Sequence, residues 1–209
     1  MAHKKSAERS RRVVLNAGCG SPPDSSLPRF FRKWQEIRVD VDPDLKPDLV
    51  TNIADLSAIS DGAVDAVWCA HCVEHLFAYQ VPRALAEFRR VLCDTGFACI
   101  IVPDLQAIAH WIATDQLLET IYQSAAGPVS AHDMLWGFAP AIARGKTAMA
   151  HHSGFTPTVL LERLKEAGFA EIVLRRRRRN LELAALALRR PSGGAKQREK
   201  LMAELGIST

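Results

Sequence analysis

The stretch Val13-Val14-Leu15-Asn16-Ala17-Gly18-Cys19-Gly20-Ser21-Pro22-Pro23 decides how the remaining sequence is read. Val13, Val14 and Leu15 are apolar, two of them β-branched, and predict a short buried strand. The strand runs straight into Gly18-Cys19-Gly20. Glycine there permits positive φ, and the absent Cβ lets a ligand lie against the peptide plane. A strand ending in such a turn opens the ligand crevice of an open α/β sheet. Gly-x-Gly pairs also occur in plain tight turns, so the reading depends on what stands at later positions.

Beyond the turn, Ser21 to Leu27 reads as a loop, and Arg29 to Glu36 as one or two helical turns burying Phe30, Phe31 and Trp34. Ile37 to Val41 predicts a second strand, stopped by Asp42-Pro43-Asp44 and Pro47. Asp48 to Ile53 is a third, short strand, and Val64 to Cys69 a fourth. Helical spacing over Val81 to Leu92 puts Leu85, Phe88, Val91 and Leu92 on one face. Asp94-Thr95-Gly96 ends it, and Phe97 to Val102 is a fifth strand, stopped by Pro103. Strands alternating with helices or loops at this spacing predict a parallel sheet with right-handed crossovers.

From Leu105 the pattern changes. Ala107 to Tyr122 reads as helix, Gly127-Pro128 as its break, and Asp133 to Lys146 as irregular. An insertion over 105–150 predicts either a lid carrying Trp111, Tyr122 and Trp136 or an extra helical layer. Thr156-Pro157 opens a helix with Leu160, Leu161 and Leu164 inward and Gly168 as its stop. Glu171 to Arg177 and Leu181 to Leu188 are two strands joined around Asn180. A linker at Pro191-Ser192-Gly193-Gly194 precedes Lys196 to Leu205, a short charged helix or a disordered tail. The reading divides the chain into a basic segment 1–12, a main domain 13–190 and a tail 191–209.

With 48% hydrophobic and 24% charged residues over 209 positions, the composition is that of a globular chain able to bury a full core. No apolar run approaches the roughly 18 residues of a membrane-spanning helix. No apolar signal core follows the basic start, and the odd set Cys19, Cys69, Cys72, Cys93 and Cys99 sits mostly in apolar stretches. Both favour a cytoplasmic protein with reduced thiols. The net charge of +4 permits an anionic partner without requiring one.

About twenty residues after the glycine turn, Asp40 and Asp42 offer a carboxylate at the end of the second strand, where one can accept both hydroxyl protons of a ribose. Position favours Asp40; Asp42-Pro43 could equally cap a turn. A dinucleotide site would want a third glycine and free N–H groups at the following helix start, and Pro22 and Pro23 remove two. An adenosine cofactor without phosphate fits better.

Five segments then resemble class I S-adenosylmethionine-dependent methyltransferases, nearest to small bacterial ones with LNxGCG and HxxEHL motifs: Leu15 to Gly20; Val39 to Pro43; Asp65 to Leu76; Glu87 to Leu92 with Gly96; and Val102-Pro103-Asp104. The resemblance implies a Rossmann-like, mainly parallel seven-stranded sheet with an insertion after the fifth strand. It implies that Asn16, Ala17, Gly18, Cys19 and Gly20 cradle the methionine part and that Asp40, with Val41, holds the ribose. Asn52, Ile53 and Asp55 would flank adenine, and Cys69, Ala70 and His71 would line the methyl end. S-adenosylhomocysteine would be the product. Many relatives carry a carboxylate where this chain has Asn16, whose amide accepts a hydrogen bond but offers no full charge.

A sulfonium methyl is already activated, so the protein must mainly hold a nucleophile in line, about 3 Å away, and exclude water. A hydroxyl or amine also benefits from a base; His71, His75, Asp104 and His152, or His151 beside it, are the candidates by position. Glu74 and His75 equally suit pinning a loop, and His151-His152 the surface of a turn. Cys69-Ala70-His71-Cys72 has no second pair at zinc spacing, so no metal is assigned. In the run Arg175 to Arg179, alternation puts Arg175, Arg177 and Arg179 on one solvated strand edge. A small-molecule or sugar-type acceptor is favoured. The alternatives are an RNA or protein methyltransferase docking through strand 175–179, and a non-catalytic adenosine-binding module.

Overall fold

A computed structural model describes residues 11–20, 27–191 and 193–207. The Pro22-Pro23 loop, Lys4, Lys5, Arg9 and Ser192 lie outside the described residues.

Strand β1 (Val13–Ala17) is buried throughout. Val13, Leu15 and Ala17 enter one apolar cluster and Val14 enters the other, so the strand divides two cores. A strand apolar on both faces belongs inside a sheet covered on both sides. Strand β2 (Gln35–Asp40) pairs with it in parallel and carries the short β3 (Leu49–Val50) on its outer edge. On the other side lie the parallel strands β4 (Val64–Ala70) and, after helix α1 (Val81–Val91), β5 (Leu92–Pro103). Helix α1 forms where Val81, Ala84, Leu85, Phe88 and Val91 recur at helical spacing, and it buries that face against the sheet.

Past β5 come α2 (Leu105–Ala113), a hairpin of β6 (Thr120–Ser124) and β7 (Gly127–Ser130), α3 (Ala131–Trp136) and α4 (Ala139–Ala143). Ile108, Val129, Ala131 and Met134 give this segment a small core of its own. Helix α5 (Pro157–Glu166) leads to β8 (Glu171–Arg177) and β9 (Glu182–Leu188), and α6 (Ala195–Glu204) follows. The sheet order is β3-β2-β1-β4-β5-β9-β8, with β9 antiparallel to both neighbours. This is the expected mainly parallel seven-stranded sheet.

Local departures have physical causes. Arg29–Phe31 is a single 3-10 turn, and β2 starts at Gln35, because Gln35 N–H is taken by Arg12 C=O at 2.8 Å and pairing with Val13 begins there. The third strand shrinks to Leu49–Val50: Thr51 N–H still donates to Asp40 C=O, and Asn52 Oδ1 then turns the chain by accepting from Ala54 N–H. Strand β5 runs through Asp94-Thr95-Gly96, the pair with β4 absorbing the extra residues as a register shift between Val64 and Ala66. The predicted helix over 107–122 ends at Ala113: Thr114 caps it, Asp115 takes φ 59°, and Tyr122 lies in a strand. Gly127-Pro128 belongs to the hairpin. The C-terminal segment is helical and buries Met202, Leu205 and Ile207 against the sheet's second face.

Thr156 accepts a hydrogen bond from Val159 N–H at 3.3 Å, and Leu160 and Leu164 are buried while Leu161 is half-buried. Thr156→Ala is expected to cost about 1 kcal/mol, read as a lower urea midpoint at unchanged slope.

Candidate active site

The carboxyl ends of β1, β2 and β4 meet where an open α/β sheet takes its ligand. The glycine turn folds back over β2: Gly18 N–H and Cys19 N–H both donate to Val39 C=O, at 2.9 and 3.0 Å. Gly18 adopts φ 71°, and a Cβ there would lie 2.6 Å from Cys72 Cβ and closer still to its sulfur. Only glycine satisfies both constraints.

Asp40 is the last residue of β2. Its Oδ2 accepts from Gly20 N–H at 3.0 Å and its Oδ1 from Asp42 N–H at 3.1 Å. Each oxygen therefore holds one backbone donor and keeps a lone pair for a hydroxyl. Asp42 turns to capping instead, accepting from Asp44 N–H and pairing with Lys146. Thr51 N–H donates to Asp40 C=O and brings the Asn52-to-Asp55 loop alongside, with Asn52 Oδ1 fixed by Ala54 N–H at 2.8 Å. Ile53 is buried, so that loop offers its backbone, whereas Val41 leaves 48% of its surface exposed as an apolar face.

Asn16 is buried and donates its amide to Glu36 Oε1 at 2.8 Å. A carboxylate thus stands beside the amide after all, supplied by the neighbouring strand; no sequence spacing marks it. The phosphate-free carboxylate, amide and glycine arrangement fits an adenosyl amino acid, whose ribose and ammonium both donate hydrogen bonds.

At the carboxyl end of β4, Cys69 is buried, and hydrogen bonding with Cys72 and burial raise the pKa of its thiol, while Ala70 is half-exposed. His71 takes the left-handed conformation, φ 52°. Its Nδ1 lies 3.5 Å from Glu74 Oε1 and its Nε2 3.0 Å from Glu182 Oε1. Both carboxylates are almost fully buried, at 1% and 3% exposed. Burial opposes a charge on His71, but the carboxylates of Glu182 and Glu74 beside it outweigh it and raise its pKa to about 10. Burial likewise opposes the Glu74 charge, and the facing His71 holds that carboxyl below the usual range.

The arginine run does not stand on a purely solvated edge. Strand β8 is the sheet edge, but Arg177 pairs with buried Glu182 at 2.8 Å and Arg176 with buried Asp104 at 3.1 Å. Arg175 reaches Glu199 on α6. The antiparallel β8–β9 corner carries Arg176 to Glu182 to the ligand end of the sheet, beside the β6–β7 hairpin. A cavity of about 800 Å³ opens there, lined by Ile121, Tyr122, Gln123 and Arg176 to Asn180. A second, of about 360 Å³, shares three of those arginines and reaches Asp104, Trp111 and Glu182.

The structure therefore brings His71 to the wall of the smaller cavity through Glu182. Asp104 caps α2, accepting from Gln106 and Ala107 N–H, besides holding Arg176. His75 and His151 meet edge to face, with ring centroids 4.8 Å apart, and His152 lies flat on Phe77. Glu182 escapes a reading by motif, whereas the sequence offered Tyr122 for a lid and Arg176 and Arg177 only as part of a basic strand. The one signal for Glu182 is an acid opening the otherwise apolar strand Glu182 to Leu188.

A family profile described as a methyltransferase domain matches residues 15–100, β1 to within β5 and somewhat under half of the chain. Three solved structures are similar. An S-adenosylmethionine-dependent methyltransferase from Archaeoglobus fulgidus shares 14% identity, with 86% of this chain and 87% of that one covered and a TM-score of 0.55. An S-adenosylmethionine-dependent methyltransferase from Thermotoga maritima gives 12%, 88%, 84% and 0.54. The 1,6-didemethyltoxoflavin-N1-methyltransferase of Burkholderia thailandensis, solved with 1,6-didemethyltoxoflavin and S-adenosylhomocysteine, gives 17%, 87%, 72% and 0.51. No curated protein matches the chain. At these identities the structural likeness is one of fold. The fold is therefore that of class I S-adenosylmethionine-dependent methyltransferases, and the methyltransferase-domain profile falls on its first five strands. Among the described residues no helix is long and apolar enough to cross a membrane.

Proposed function

We propose that the chain methylates a small-molecule acceptor, sugar-type scaffolds included, that carries a carboxylate or phosphate. The observation that carries this reading is the larger cavity: Arg178 and Arg179 line it and have no ion-pair partner among the described residues. An anion entering there meets two uncommitted guanidinium groups, which suit bidentate recognition of carboxylate or phosphate. Tyr122 and Gln123 add polar contacts on the facing hairpin.

Asp40 grips the ribose, Asn16 with Glu36 receives the ammonium, and the Gly18-Cys19-Gly20 backbone lies under the methionine part. Val41 and the Asn52-Ile53-Asp55 loop enclose adenine, and Cys69, Ala70 and His71 border the methyl end. Bound S-adenosylmethionine supplies an activated methyl group. The residues contribute alignment: the arginine corner fixes the acceptor's charged end, and the Glu182–His71–Glu74 row stiffens the wall between the two ligands. Among the side chains considered for proton transfer, His71 borders the methyl end and reaches the smaller cavity through Glu182, and Asp104 lines that cavity while capping α2 and holding Arg176; His75 and His152 serve as anchors.

Counting labelled methyl transfer from the cofactor onto carboxylated and phosphorylated metabolites, beside their neutral esters and alcohols, tests this. The charged acceptors are expected to react and the neutral ones to fail. Arg178→Ala with Arg179→Ala should raise the acceptor KM by roughly ten- to a hundredfold, leaving S-adenosylhomocysteine binding unchanged. Labelling of RNA or protein instead, or equal rates with neutral acceptors, would overturn the reading.

A further inference from the structure

The geometry points to a divalent-cation site formed by Glu74, His75 and His151, an ion of the zinc class that ties the turn after β4 to the end of the insertion. Glu74 is 1% exposed, and among the described residues neither of its carboxylate oxygens receives a hydrogen bond. His71 stands 3.5 Å from one of them, an ion-pair distance. A sealed carboxylate with open lone pairs is costly unless something completes it.

The two imidazoles on its other side are set up as ligands. His75 Nδ1–H donates to Ala150 C=O at 3.1 Å, and His151 Nδ1–H donates to Met134 C=O at 2.9 Å. A carbonyl can only accept, so each contact fixes the proton on Nδ1 and leaves the Nε2 lone pair free. A backbone carbonyl behind the ring is the usual support of a metal-binding histidine. One ligand atom from each of Glu74, His75 and His151 lies within 4.8 Å of the other two. A tetrahedral shell wants about 3.4 Å between ligand atoms, so side-chain rotation about a bound ion completes the approach. Two imidazoles and one carboxylate suit zinc or a neighbouring first-row divalent ion and leave a position for water.

The site joins separate parts of the chain. Glu74 and His75 sit on the 3-10 turn Val73–His75, and His151 closes the insertion. His152 N–H and Ser153 N–H both donate to Glu74 C=O, at 2.9 and 3.0 Å, so the two strands of chain already run together. A cation there locks the insertion to the sheet and, through Glu74 and His71, steadies the cavity wall.

Chelator-treated full-length protein titrated with zinc chloride by calorimetry, and with cobalt chloride by visible absorption, tests the site. Neither measurement needs S-adenosylmethionine, so failure here leaves the methyltransferase reading standing. One equivalent of each metal is expected to bind, with cobalt bands of nitrogen and oxygen ligation. Glu74→Gln and His151→Gln should each weaken binding at least tenfold, and His152→Gln should leave it intact. The melting temperature should rise with zinc in the unaltered protein and in His152→Gln but not in His151→Gln; should Glu74→Gln fail to fold, His151→Gln carries the test. No binding, unchanged binding in His151→Gln, or a cobalt–thiolate band assigning the ion to Cys69 and Cys72 would overturn it.

Discussion

Gly18→Ala is expected to cost both stability and cofactor affinity. Two penalties combine at this position. An alanine at φ 71° sits in the left-handed region, which costs about 1–3 kcal/mol. Its Cβ would also press into Cys72, whose Cβ is 2.6 Å away, and such overpacking costs about 1–3 kcal/mol. Together they approach the roughly 5–15 kcal/mol that hold a domain folded. The turn carries the hydrogen bonds from Gly18 and Cys19 to Val39, so its displacement moves the floor of the cofactor site. Urea unfolding should show the midpoint falling sharply, and calorimetry should show S-adenosylhomocysteine binding weakened at least about tenfold. Adding Cys72→Ala removes the sulfur contact but not the backbone strain, so it should restore part of the stability and not all. Full restoration would mean that the left-handed conformation is irrelevant there.

Asp40→Ala should have the largest effect on binding without a comparable loss of stability. The carboxylate would accept two ribose hydroxyls, and each hydrogen bond to a charged group contributes about 1.5–3 kcal/mol. A loss of roughly a hundredfold or more in cofactor affinity follows. Part of it comes through the turn, because Asp40 also receives Gly20 and Asp42 N–H. Asp40→Asn separates the contributions: one amide oxygen remains to accept while the other position becomes a donor. Its affinity should fall between those of the unaltered protein and Asp40→Ala, with the unfolding midpoint little changed. Equal affinity in all three would remove Asp40 from the site.

The sheet and the turn that opens it were legible because they depend on neighbours in sequence. Val13 to Leu15, the face of Val81 to Val91 and the Thr156-Pro157 helix start are local patterns, and each forms where the pattern puts it. The hairpin over 120–130 was hidden because the apolar spacing after Leu105 suits a helix. Ile121, Tyr122 and Val129 answer instead to Ile108 and Met134 across the insertion's small core. The arginine run misled for the same reason. Alternation along one strand orients the side chains, but the partners of Arg176 and Arg177, namely Asp104 and Glu182, are brought by topology. Glu36 beside Asn16 depends on strand register alone, Asn16 facing Arg38 and Val14 facing Glu36. Long-range pairing of this kind leaves no mark on spacing.

The central claim, that the crevice over β1 and β2 takes a phosphate-free adenosyl amino acid, is most directly tested by one calorimetric titration of the unaltered protein with S-adenosylhomocysteine, with NAD as the competitor of different class. A single saturable site for S-adenosylhomocysteine and no heat from NAD are expected. Absence of binding at millimolar ligand, or displacement of S-adenosylhomocysteine by NAD, would contradict it.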